Sequence, residues 1–213
     1  MLDSISSWHD YSRFLVGLIA ILDPFIAVPI FLSLTVNRSA QERSRTARVV
    51  TMTVLAVLMG AAVAGEAILR VMGGSLASFR VGGGLVLLLM ALAMLNARAG
   101  DVRQTAEEAS ELGQSTGRGV VPLAIPLLAG PGAISTVIVA THGGGFLHRL
   151  IIIVCVALAC AVLWLILKLA APVGRRMGTT GLNIANRLLG LLLAAFAIES
   201  MAAGLKALFP ALG

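Results

Sequence analysis

Three acidic side chains fall inside long apolar runs of this chain, Asp23, Glu66 and Glu199. A carboxylate in hydrocarbon is costly, so each is expected to face a cavity, a cation or a proton pathway. Asp23 stands at a break. In LDPFIAVPIF it precedes Pro24, and a capping residue followed by proline starts a helix, because proline at the first helical position lacks only an N–H that would be unpaired anyway. A second run holds the same device in LAGPGAIST, with Gly130 as cap, Pro131 at the first position and Gly132 leaving the backbone open to close approach. Free amides at the start of a helix carry partial positive charge and receive anions. The chemistry this predicts is capture of a small carboxylate by the amides around Phe25, Ile26 and Ala27 at one break and Gly132, Ala133 and Ile134 at the other. Ser135 and Thr136 lie within the next turn and can offer hydroxyls. Asp23, an unwound carbonyl or Glu199 would meet an ammonium group or a coupling proton.

The remaining polar residues invite simpler readings. Glu66 lies about a turn from its span's end and can pair with Arg70, one turn on. Arg80 and Arg187 open spans and read as snorkelling anchors. Ala56, Gly60 and Ala64 form a small-xxx-small stripe, expected to pack against another helix. Cys155 and Cys160 sit on roughly opposite faces of one helix, which excludes a bond between them. His9, His142 and His148 fall at span ends without metal-ligand spacing, so no metal or other cofactor is expected beyond a coupling proton or sodium ion. No nucleophile–base pair lies within the spans, and no ATP-binding loop is present, so neither an enzyme nor a primary pump is expected.

The elements that must position these residues are membrane helices. Hydrophobic residues make up 58% of the 213 and charged residues 12%, with mean hydropathy +0.97; soluble domains are about 45–50% apolar and about 25% charged. The N-terminal segment lacks the basic region of a signal peptide, so the first apolar run is expected to be retained as a span. Six segments reach the roughly 20 residues a bilayer core needs, at about 12–36, 49–70, 80–98, 119–141, 148–170 and 186–208. The charged stretch 99–118 reads as a solvated linker between repeat 1 (12–98) and repeat 2 (119–208) of a single membrane domain spanning 1–213.

One offset of 107 residues carries Pro24 onto Pro131, Arg80 onto Arg187 and Gly83 onto Gly190. Each half has an odd number of spans, so the second must enter from the opposite side. The expected fold is all-α: a polytopic six-helix membrane bundle with an inverted 3+3 repeat and broken helices 1 and 4. A proline kink in a single membrane helix is ordinarily structural, because neighbouring helices satisfy the freed backbone. Two cap-proline breaks related by one repeat favour a transporter's binding site.

Eleven of the 16 lysines and arginines fall on the side of the connections after spans one, three and five. The positive-inside rule places that side in the cytoplasm and both termini outside it. This asymmetry accounts for the net charge of +6, and no basic soluble module suggests nucleic acid. The expected partners are the lipid bilayer and a small-molecule solute; oligomeric state stays open.

The stretches DPFIAVPIFLSLT (23–35), SFRVGGGLVLLL (78–89), VPLAIPLLAGPGAISTVIV (121–139) and GLNIANRLLGLLLAAFAIE (181–199) resemble the MarC family of bacterial inner-membrane proteins. The resemblance covers essentially the whole chain. It implies a multi-pass protein of the cytoplasmic membrane with an inverted three-plus-three repeat, similar in some members to transporters of small neutral amino acids such as glycine and alanine. The chain departs from the family pattern at Ile26, where glycine is usual, and a branched side chain there narrows the site. The expected function is secondary transport of small neutral amino acids or similar zwitterions by alternating access. The alternative is a non-transporting inner-membrane factor of envelope assembly or drug resistance.

Overall fold

A computed structural model describes residues 8–36, 38–71, 73–96 and 128–212. Proline sets the first boundary: α1 (Trp8–Leu22) stops before Asp23, and α2 (Pro24–Leu34) begins at the proline that follows. Thr35 closes α2, its hydroxyl donating to the Phe31 carbonyl at 2.7 Å. α3 (Ala40–Val71) opens with a reciprocal cap, the Ser39 amide donating to Glu42 at 2.8 Å and the Glu42 amide to the Ser39 hydroxyl at 3.3 Å. α4 (Leu76–Asn96) starts where the Ser75 hydroxyl accepts the Ser78 amide at 3.0 Å. α5 (Pro131–Thr141) and α6 (Phe146–Lys168) follow.

The last long helix, α7 (Ala170–Leu208), is two pieces joined at Gly178. Its φ of 61° with ψ of −175° is a conformation essentially confined to glycine. The sequence places the sixth span at 186–208 and assigns no helix to the residues just before it. In the structure they form a short helix carrying exposed Arg175 and Arg176, followed by the long piece.

Among the described residues, five helices are long and apolar enough to cross a membrane, with Trp8–Leu34 counted as one across its break. This is a polytopic membrane helix bundle. The linker at 99–118, the start of the fourth span up to residue 127, and the Glu66 and Arg70 side chains lie outside the described residues. α2 and α5 have 11 residues each, about 16 Å of helix, half of the roughly 30 Å hydrocarbon thickness. The 107-residue offset carries one onto the other from end to end.

Their packing crosses between the halves of the chain. α2 lies against α6 and α7, whereas α5 lies against α3 and α4, and α4 runs along α7 in the most extensive contact of the bundle. The core gathers around the two breaks, with Leu18, Ile21, Leu22, Ile30, Phe31, Leu58, Leu87 and Leu163 all but inaccessible. Val63, Leu89, Leu188 and Leu191 face outward and form the apolar surface that lipid covers. Cys155 and Cys160 are free thiols, and both are buried, because α6 has neighbours on several sides.

The expected packing of the Ala56-Gly60-Ala64 stripe is not found: all three residues are exposed, and a β-carbon on Gly60 would meet nothing within 4 Å. Close small-residue packing occurs between α4 and α7 instead. There a β-carbon on Gly204 would come within 2.8 Å of the Ala77 carbonyl oxygen.

Candidate functional site

The two breaks differ in what their caps do. Asp23 takes a left-handed conformation, φ 39° and ψ 67°, and its carboxylate turns back to accept the Ile26 amide at 3.3 Å. The Ala27 amide closes on the Asp23 carbonyl at 3.4 Å. Amides at this first break are thus engaged by Asp23 itself, while Asp23, Pro24 and Ala27 are buried and Phe25 and Ile26 half-buried.

Gly130 has no side chain with which to cap α5. Its carbonyl accepts the Ile134 amide at 3.1 Å, and the Gly132 and Ala133 amides that precede it gain no side-chain cap. A β-carbon on Gly132 would lie 2.6 Å from Leu87 Cδ2, so glycine lets α5 seat against α4. The Ser135 and Thr136 hydroxyls both donate to the Gly132 carbonyl, at 3.0 and 2.8 Å. Bound this way, each oxygen still has lone pairs to offer as acceptors. Gly130, Gly132, Ala133, Ser135 and Thr136 are buried and Pro131 is exposed.

Beside the second break lies a cavity of about 90 Å³ between α1, α4, α5 and α7, mostly apolar with a few polar groups. Its polar wall is made by Arg80, Ser135, Thr136 and Ser200, and its apolar wall includes Phe14, Leu87 and Phe196. Gly83 makes room for it, since a β-carbon there would sit 2.5 Å from the Ser135 hydroxyl oxygen. Towards the end of the bundle where α1 begins, a vestibule of about 210 Å³ shares Phe14, Ala140 and Phe196 with the cavity. Asp10, Tyr11, Arg13, His148 and Glu199 form its polar wall. A lateral groove of about 410 Å³, bordered by Ser75, Ser78, Gly83, Pro131 and Ser135, meets the cavity from another side.

The vestibule is held by two links. Arg13 of α1 pairs with Glu199 of α7. His148 Nε2–H donates to the Ala140 carbonyl at 2.8 Å, which leaves Nδ1 to accept the Tyr11 hydroxyl at 3.0 Å. Glu199 therefore stands in an ion pair at the rim, more than half exposed. Asp23 stands apart, enclosed at the other break.

Arg80 is the residue that sequence reasoning passed over. Read as a snorkelling anchor, it instead lines the cavity, and its Nε is buried with no hydrogen-bond partner among the described residues. Ser200, Phe14, Phe196 and the Tyr11–His148 link also carried no distinguishing sequence signal.

Comparison with known proteins gives one consistent result. A family model described as MarC family integral membrane protein matches residues 8–209. The UPF0056 membrane protein YhcE of Escherichia coli (strain K12) is 34% identical over 213 residues, covering 100% of this chain and 99% of the relative. A UPF0056 membrane protein of Buchnera aphidicola subsp. Acyrthosiphon pisum is 36% identical over 210 residues, 98% of each chain. One from Methanocaldococcus jannaschii is 35% identical over 193 residues, 89% of this chain and 93% of the relative. No solved structure matches.

Proposed function

The chain belongs to the MarC family of integral membrane proteins, and from that premise we propose that it is a secondary transporter of small neutral amino acids or similar zwitterions. The observation that carries this reading is the pair of proline-initiated half-helices, α2 and α5, each packed across onto spans of the other half of the chain. Irregular backbone at membrane depth is tolerated where it is buried in protein or lines a cavity, and matched discontinuous helices are the hallmark of repeat-built transporters. On this reading the halves form an inverted repeat in the cytoplasmic membrane, with both termini outside. Rocking of one half against the other exposes the site to each side in turn.

The asymmetry of the two caps refines the site. The first break's Ile26 amide is taken by Asp23, so the substrate belongs on the α5 side, where Ser135 and Thr136 line a cavity. Asp23, buried and negatively charged when ionised, serves the coupling cation, a proton or a sodium ion.

The test is uptake of labelled glycine, alanine and serine into proteoliposomes, with and without proton or sodium gradients, beside Asp23→Asn. The expected result is saturable uptake driven by one gradient and weakened by the substitution. Folded, inserted protein that moves none of the three would overturn the reading and leave an assembly role as the account of this fold.

A further inference from the structure

We propose that Arg80 is the carboxylate receptor of the cavity between α1, α4, α5 and α7, and that the cavity takes a solute of only a few non-hydrogen atoms bearing a carboxylate. This deepens the transport reading and rests on it. A guanidinium within a membrane bundle is costly unless an anion or acceptor meets it. Arg80 Nε is buried without a partner among the described residues. Among the described residues no carboxylate lines the cavity itself, and Glu199, one of two on the adjoining vestibule wall with Asp10, is paired with Arg13. The anion that suits this cavity is therefore one that arrives in it, and a guanidinium holds a planar carboxylate through paired, charge-assisted hydrogen bonds.

The rest of the wall narrows the class. Ser135 and Thr136 spend their protons on the Gly132 carbonyl, so towards the cavity they are acceptors, suited to an ammonium rather than to a second anionic oxygen. A carboxylate at Arg80 and an ammonium at these oxygens describe an α-amino acid. At about 90 Å³ the cavity is far below the roughly 300–1,000 Å³ of sites for drug-sized ligands, which suits a solute as small as glycine or alanine. Phe14 and Phe196 stand where the cavity meets the vestibule and give that end an apolar wall.

The experiment compares wild type, Arg80→Gln and Arg80→Lys in glycine uptake and, separately, in ligand-induced shifts of the melting temperature of purified protein. Loss of a charge-assisted contact is expected to raise KM by about ten- to a hundredfold in Arg80→Gln, with Arg80→Lys between the two. Acetate is expected to raise the wild-type melting temperature and compete with glycine, whereas methylammonium at equal ionic strength does neither. A folded Arg80→Gln protein with wild-type KM would overturn the assignment while leaving transport intact. If that variant does not fold, the wild-type competition decides, and methylammonium acting in place of acetate overturns it. Wild-type protein that binds glycine and acetate but transports nothing would retire the transport reading and keep the site.

Discussion

Asp23 is the only described residue other than glycine with positive φ. A β-carbon in that left-handed region costs about 1–2 kcal/mol, and here the cost is offset by the side chain's own bond to the Ile26 amide. Asparagine keeps both features, glycine loses the cap but not the freedom, and alanine loses the cap and keeps the strain. The expected order of stability is therefore Asp23→Asn near wild type, then Asp23→Gly, then Asp23→Ala, with alanine lower by about 1–3 kcal/mol. Denaturant unfolding of the purified protein checks it, and an alanine variant as stable as asparagine would show that the cap contributes nothing. The same ranking makes Asp23→Asn the clean probe of charge in uptake. Asp23 was legible in the sequence because a proline-initiated helix needs a cap immediately before it. Arg80 was not, because its position at the start of a span is equally that of an anchor, and only the meeting of α4 with α5 and α7 decides which way the guanidinium turns.

At the scale of elements, the proline breaks show in the sequence and the helix contacts do not. Pro24 and Pro131 mark the first residues of α2 and α5 because the missing N–H admits them there and excludes them from a helix interior. The small-residue stripe on α3 and the glycines of α4 and α7 carry the same pattern, yet the stripe is exposed and the α4–α7 seam is closely packed. Spacing states that two backbones could approach, and only the bundle states which do. Gly60→Ala, on the open face, is expected to be neutral or to stabilise by up to about 1 kcal/mol through helix propensity. Gly204→Ala, whose β-carbon would lie 2.8 Å from both the Ala77 oxygen and Val81 Cγ2, is expected to cost about 1–3 kcal/mol, because one of two packed backbones must move. Thermal unfolding of both variants in one detergent makes the comparison, and equal effects would remove the seam's special standing. The break at Gly178 escaped notice for a related reason: in an apolar chain rich in glycine, a single residue with positive φ has no distinguishing neighbours.

For the molecule as a whole, the arrangement of charge and cavities makes a joint statement about direction. Arg38, Arg43, Arg45 and Arg48 gather at the start of α3, the end of the bundle that the positive-inside rule assigns to the cytoplasm. The vestibule, with Tyr11, Arg13, His148 and Glu199, lies at the opposite end. Between them the core is closed by Leu18, Leu22, Ile30, Phe31 and Leu58, each no more than 1% exposed. On the transport reading, and with the orientation that the positive-inside rule predicts, the vestibule is the face open to the outside of the cell. Orientation can be read from single cysteines, since Cys155 and Cys160 are buried and give little background. Gly145→Cys lies in the turn before α6, where a β-carbon meets nothing within 4 Å, and Gln41→Cys lies in the exposed first turn of α3. An impermeant maleimide is expected to label the first in intact cells and the second only after permeabilisation. The reverse pattern would turn the bundle over and make the vestibule cytoplasmic.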